Sequence, residues 1–289
     1  MTSVCRFCAT PLEHDLIDLG MSPVSNSFVR PDKVQEPEPF YPLHAFVCSN
    51  CFLVQLEEFE TADQIFSDYV YFSSYSTSWL AHARQFVGEA IERFGYDSDS
   101  LVIEVASNDG YLLQYFRERD VPVLGIEPAS NVAEVARAAG IDTIDEFFGV
   151  ALAERLRDQG RLCDLLIGNN VLAHVPDIND FVGGLGIVLG RDGVLSMEFP
   201  HLLKLIEQTQ FDTIYHEHFS YLSLSTVQKI FAHHGLQIFD VQELPTHGGS
   251  LRVYAQHAGG QQAIGETVQK VLADERRARL DSLDGYRGF

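Results

Sequence analysis

Four of the five cysteines fall into two pairs, Cys5-Arg-Phe-Cys8 and Cys48-Ser-Asn-Cys51, and this pattern is the most specific chemical signal in the chain. A CxxC knuckle bends the backbone so that two thiolates converge, and two knuckles supply the tetrahedral sulfur set that zinc takes at about 2.3 Å from each sulfur. Cys5, Cys8, Cys48 and Cys51 are therefore expected to hold one Zn2+. Four protein ligands leave no open coordination position, so the ion would be structural rather than catalytic. A set of buried free thiols is the plainer alternative. Cys163, alone at the start of an apolar run, reads as a small core residue.

A second concentration is Tyr215-His-Glu-His-Phe-Ser-Tyr221, which puts two imidazoles, one carboxylate and two phenols within seven residues. HExH lacks the i, i+4 histidine spacing that sets two imidazoles on one helical face, so a metal site is a poor fit. General acid–base chemistry fits better, because histidine titrates near neutral pH and Glu217 could orient or strengthen it. In an extended conformation residues 216 and 218 share one face and 215, 217 and 219 the other, so a bend is needed for the cluster to act together. Half-buried loop side chains that cap backbone groups are the alternative. His174, following Asn169-Asn170, is the other candidate, whereas His44, His201, His233 and His234 read as surface or packing residues.

A third set is Glu104-Val-Ala-Ser-Asn-Asp-Gly110, which follows a predicted strand and opens a helix. Glu104, Ser107, Asn108, Asp109 and Gly110 would thus stand at the carboxyl end of a strand, the binding edge of open α/β sheets. One strand later come Glu127, placed where such sheets grip a ribose diol, and Pro128; Asn169 and Asn170 end the third strand of the motif. There is no GxGxxG, and Asn108-Asp109 crowd the place a pyrophosphate needs. Carboxylates there suit a cofactor that carries an ammonium group, such as S-adenosylmethionine. A tight turn with a helix cap at Ser107, Asn108 or Asp109 explains part of the pattern.

The elements that must position these groups alternate between short apolar runs and helices. Strands are predicted at 101–106, 121–127, 162–168 and 193–199, and helices at 79–94, 110–119, 130–139, 178–189 and 225–234. This order implies right-handed crossovers and a parallel sheet. Runs 236–244 and 250–257 flank Thr246-His-Gly-Gly249 and read as an antiparallel hairpin at the sheet edge. The fold class is therefore α/β, a Rossmann-like methyltransferase sheet preceded by a small zinc-binding domain. The expected units are a zinc domain over 1–61, a helical connector over 62–95, the cofactor domain over 96–260 and the helical start of a further region over 261–289. The chain stops at Gly288-Phe289 with no capping signal, so a further piece is expected.

With 20 Lys+Arg against 41 Asp+Glu the formal charge is -21, which repels a polyanion and argues against nucleic acid as a partner. No apolar stretch reaches the roughly 20 residues of a membrane span, and MTSVCRFC is not a signal peptide, so a cytoplasmic location is expected. A small phosphorylated ligand remains compatible with local donors.

Taken in order, CRFC and CSNC with MSPVSNSF between them, SDYVYFSSYS, EVASNDGYLL with GIEPASNVA, NNVLAHVPD, and YHEHFSYLS followed by THGGSLRVY resemble the zinc-containing sugar C-methyltransferases of deoxysugar biosynthesis. The likeness covers essentially the whole chain, although family members run on for roughly another hundred residues. It implies a zinc domain, a central S-adenosylmethionine domain and a C-terminal domain that helps enclose a nucleotide-sugar substrate, a TDP-4-keto-6-deoxy sugar methylated at C3. By motif position the resemblance puts the base on His218, with Tyr215 and Glu217 beside it, His174 across the site and Tyr69 as a further donor, Tyr71 being the other tyrosine of that stretch.

The ketone of such a substrate acidifies the C3 proton, so His218 would remove it and Tyr215 or His174 would stabilise the enolate. Two other readings stand beside this one. The chain could be a zinc-ribbon interaction protein or shortened pseudoenzyme that binds a nucleoside without turnover, or a methyltransferase acting on an oxygen or nitrogen of another small molecule.

Overall fold

The computed structural model describes residues 3–26, 28–61 and 71–289, and the expected donor Tyr69 lies outside them. Near the N-terminus, β1 (His14–Ser22), β2 (Tyr41–Val47) and β3 (Val54–Leu56) form an antiparallel sheet. Its fourth strand, β9 (Ser220–Tyr221), comes from far along the chain and pairs with β3 through Gln55 and Ser220. The two-residue strand lies inside the tyrosine and histidine cluster, where no strand is expected. The cluster itself follows the helix Leu202–Glu207 and a single turn over Phe211–Thr213 rather than a strand.

The main sheet has seven strands. They are β4 (Val102–Val105), β5 (Val123–Ile126), β6 (Thr143–Ile144), β7 (Cys163–Asn169), β8 (Leu189–Pro200), β10 (Leu236–Leu244) and β11 (Ser250–His257), in the spatial order β10-β11-β8-β7-β4-β5-β6. β8, β7, β4, β5 and β6 run parallel, and β11 pairs antiparallel with both β8 and β10. All four β4 residues are buried, as a strand covered on both faces requires. Cys163 is likewise buried, and its thiol pKa is pushed up by that burial.

Local chemistry sets the helix ends. α1 (Thr77–Phe94) starts at Ser76, whose Oγ accepts the Trp79 N–H at 3.3 Å, and stops at Gly95 in the left-handed conformation. The helix expected over 110–119 shrinks to α2 (Leu113–Arg117). Asn108 and Gly110 take positive φ, so the chain turns before the helix can begin, and a Cβ at Gly110 would sit 2.8 Å from Ile141 Cγ1. α3 (Ser130–Ala138) and α4 (Val150–Asp158) are the next crossovers. α5 (Ile178–Val188) is capped by Asp177, and α6 (Leu202–Glu207) leads to the tyrosine and histidine cluster.

α7 (Leu224–His233) follows β9, and α8 (Glu266–Arg277) is the last α-helix among the described residues. Glu275 of α8 is buried and accepts the Leu224 and Ser225 N–H groups at the start of α7, at 2.6 and 2.9 Å, and contacts His201 Nε2 at 2.8 Å. The tail then packs on the zinc-side sheet: Leu280 and Tyr286 join Leu43, Ala45 and Val47 in one core cluster. None of the described helices is long and apolar enough to cross a membrane.

Candidate active site

A cavity of about 860 Å³ opens where the carboxyl ends of β4, β5 and β7 meet. Ala106, Asn108 and Asn170, three of its lining residues, are non-glycine residues held at positive φ (55°, 49° and 53°). Such strain persists where the surroundings enforce it, and here it turns each strand end away so that backbone and side chains face the opening. Glu127 and Pro128 line the same space, as do Asn169 and Asn170. Glu104, Ser107, Asp109 and Gly110 stand behind that surface. Burial, helped by Glu127 and Asp109 and opposed by the Tyr111 hydroxyl, pushes the Glu104 carboxyl well above its usual range.

The Glu127 carboxylate accepts the Asn108 N–H on one oxygen and the Ala129 N–H on the other, both at 2.9 Å. Each oxygen keeps acceptor capacity for one hydroxyl of a diol. Among the described residues no lysine or arginine lines the cavity, while Glu127, Asp177, Asp180 and Glu217 do. The lining therefore suits a cationic cofactor with a ribose, and the residues fit S-adenosylmethionine. The Asn108 side chain also fastens the aromatic segment over the cavity, because its Oδ1 accepts the Ser73 N–H at 2.8 Å and its Nδ2 donates to the Tyr71 carbonyl at 3.0 Å. Tyr71 lines the cavity.

The bend in the tyrosine and histidine cluster is a tight turn closed by the His218 N–H on the Tyr215 carbonyl at 2.9 Å. It separates the two imidazoles. His216 donates to the Pro42 carbonyl at 3.1 Å and is buried against the zinc-side sheet. His218 faces the other way: Nε2 lies 2.7 Å from the Tyr215 hydroxyl, Nδ1 lies 3.1 Å from the Thr213 carbonyl, and the His174 ring is 4.7 Å away between centroids. A carbonyl only accepts, so Nδ1 carries the proton and Nε2 takes the hydrogen of the tyrosine. Burial holds His218 well below the ordinary histidine range, helped by His174 and partly offset by Thr213.

Glu217 takes no part in orienting that ring. It accepts Ser25 Oγ at 3.1 Å and Asn26 Nδ2 at 2.8 Å, and burial pushes its carboxyl up against the pull of those donors. Tyr215, Glu217 and His174 line the cavity, and His218 stands behind Tyr215. Burial brings His174 down to about 4, with the Glu217 backbone as a partner that opposes the shift.

A further wall carries residues outside the set expected from sequence: Trp79, His82, Thr246 and His247. Behind them Glu198 and Arg252 form a buried ion pair at 2.6 Å, which His82 and Thr246 join at 3.1 Å each. Burial pushes Glu198 up, but His82 and Arg252 together hold it below the usual carboxylate range. Glu198 and Arg252 sit in apolar strands, and nothing local in those runs marks them as partners across β8 and β11.

The four knuckle cysteines bring their sulfurs within 4.8 Å of one another, with Cys5 to Cys51 and Cys8 to Cys48 at 3.5 Å. Tetrahedral thiolates about 2.3 Å from zinc stand about 3.8 Å apart, so the set fits that ion.

Family models match along the chain in the same order as these parts. One described as "Putative zinc binding domain" matches residues 5–66, one described as methyltransferase domain matches 79–241, and one described as C-methyltransferase C-terminal domain matches 245–289. The C-methyltransferase NovU of Streptomyces niveus is 34% identical over 285 residues, which is 99% of this chain and 68% of that protein. The ubiquinone biosynthesis O-methyltransferase of Bartonella quintana (strain Toulouse) is 24% identical over 95 residues, 32% of this chain and 38% of that one. Among solved structures, the PH0226 protein from Pyrococcus horikoshii OT3 superposes with a TM-score of 0.52 at 13% identity, covering 69% of this chain and 99% of that one, which shows the fold alone. The fold and site define a class I S-adenosylmethionine-dependent methyltransferase with a structural zinc domain. Within that class the chain belongs to the zinc-binding C-methyltransferases, and carbon is the atom it methylates.

Proposed function

We propose that the chain methylates C3 of a 4-keto-deoxysugar carried on a nucleotide, through an enolate formed by the paired Tyr215 and His218. The observation that carries this reading is the 2.7 Å contact between the Tyr215 hydroxyl and His218 Nε2 at the edge of the cofactor cavity. Carbon becomes a nucleophile only after a proton is removed, and a neighbouring ketone makes that proton acidic enough for a protein base.

When bound, S-adenosylmethionine supplies an electrophilic methyl group. Glu127 would hold its ribose hydroxyls, and the carboxylates of the lining would favour its positive charge. Tyr215 receives the C3 proton as its own passes to His218 Nε2, so the imidazole ends as the proton's holder. The imidazolium keeps Nδ1–H on the Thr213 carbonyl throughout, which fixes the ring during transfer. His174, held neutral by its burial with its N–H turned to the Glu217 backbone, walls the site beside His218 and puts no second positive charge next to the imidazolium. Cys5, Cys8, Cys48 and Cys51 would hold zinc with no coordination position left open, in a structural role beside the sheet that carries β9.

The test is incubation with a panel of TDP-4-keto-6-deoxy sugars in deuterated solvent, followed by mass and NMR analysis. Methyl gain at C3, and C3 exchange without cofactor that disappears in His218→Asn, are expected. Methylation at oxygen or nitrogen, or exchange retained by the variant, would overturn the reading.

A further inference from the structure

Arg6 occupies the first position inside the knuckle formed by Cys5 and Cys8, yet its side chain leaves the metal site. Nη1 donates to the Pro176 carbonyl at 2.7 Å, and Nη2 donates to the Leu56 carbonyl at 2.5 Å. The guanidinium carbon lies 5.4 Å from the centre of the Phe219 ring, within cation–π range. Pro176 is two residues after His174, and Phe219 directly follows His218.

The backbone repeats the connection. Leu56 N–H donates to the Phe219 carbonyl at 3.1 Å, and Gln55 pairs with Ser220 in the sheet. Gln55 Nε2 in turn donates to Cys5 Sγ at 3.2 Å, and Gln55 Oε1 accepts the Arg6 N–H at 2.9 Å. On the far side Asn179, at the start of α5, donates to the Arg6 and Phe7 carbonyls at 3.3 and 2.9 Å. The knuckle is thereby tied to both segments that bring imidazoles to the site, and a single planar guanidinium spans the gap between them.

We propose that Arg6 is a positioning residue that sets the spacing of His174 and His218 by gripping the two segments that carry them. The inference rests on the roles assigned to those two histidines. Lysine cannot replace the fork, since one ammonium does not reach two carbonyls and a ring face in that arrangement.

The experiment compares Arg6→Gln and Arg6→Lys with wild type in the full chain. The readouts are zinc content, S-adenosylmethionine affinity, kcat and KM for methylation, and the rate of substrate C3 exchange. Small misplacements of reacting groups cost up to about 100-fold, so kcat and exchange should fall together by about 10- to 100-fold in Arg6→Gln. Zinc content, cofactor affinity and KM should stay within about twofold, where a role confined to folding would move the first. A double-mutant cycle with His174→Phe should be non-multiplicative, because both changes damage the same pair.

Wild-type kcat in Arg6→Gln, or losses that multiply with those of His174→Phe, would overturn the proposal. Should Arg6→Gln lose zinc, zinc-loaded Arg6→Lys decides: full activity overturns the proposal, and a reduced kcat with the same non-multiplicative cycle supports it. Loss of zinc from both variants also overturns it, since Arg6 would then serve the knuckle alone. Failure of the catalytic reading shows separately, as exchange retained by His218→Asn with Arg6 intact.

Discussion

The hydroxyl of Tyr215 lies between the cavity and His218, 2.7 Å from Nε2, while Thr213 holds the opposite nitrogen of the same ring at 3.1 Å. Burial holds His218 neutral, and in the proposed reaction a proton leaving the cavity would reach the imidazole through the phenol.

Tyr215→Phe should therefore reduce C3 exchange and methylation as severely as His218→Asn, each by about 10²- to 10⁴-fold. The double variant should be little worse than either single one, because the two groups act as one unit. Exchange followed by NMR is the measure, and a Tyr215→Phe enzyme with near wild-type exchange would show that His218 meets the substrate directly.

Acid should weaken the fold through the buried imidazoles. His174 sits at about 4 in the folded chain, against about 6.5 when unfolded, so the unfolded chain takes up its proton first as pH falls. The contribution is intact above about pH 6.5, declines from there to about pH 4 and is level below that. His218 shifts in the same direction. Urea midpoints measured across this window should fall less steeply in His174→Phe than in wild type; parallel slopes would place the titration elsewhere.

Glu127→Gln should weaken S-adenosylmethionine binding by roughly 10- to 100-fold, as expected for hydrogen bonds of about 1.5–3 kcal/mol to a charged group. Isothermal titration reads this directly. With saturating cofactor, kcat should change much less, and an unchanged affinity would remove Glu127 from the cofactor site.

Glu275→Ala should leave two N–H groups at the start of α7 and the His201 ring without their acceptor, at a cost of about 3 kcal/mol in folding stability. Because Glu275 is not among the cavity-lining residues, kcat per folded molecule should hold. Urea unfolding beside single-concentration assays tests both halves of the statement.

Four of the five parallel strands and the edge hairpin were legible in the sequence because each is a local pattern of apolar runs with turn residues between them, whereas the two-residue β6 is too short to show one. The cysteine set was legible for the same reason. Glu127, Pro128, Asn169 and Asn170 could be read because strand ends converge by topology. Trp79, His82, Thr246 and His247 could not, since α1 and the hairpin reach the cavity only through tertiary packing. The sense of the turn at 215–218 was equally hidden. Spacing alone put His216 and His218 on one face, whereas the fold sends one to Pro42 and the other to Tyr215.

β9 completes a sheet whose other three strands lie in the first 56 residues. During synthesis those strands emerge early and must wait, one edge uncovered, until most of the nucleoside-binding sheet has left the ribosome. The loop that carries Tyr215 and His218 therefore docks only after five of the seven strands of the larger sheet have been made, so a half-made molecule holds the metal ligands without the residues of its cavity edge.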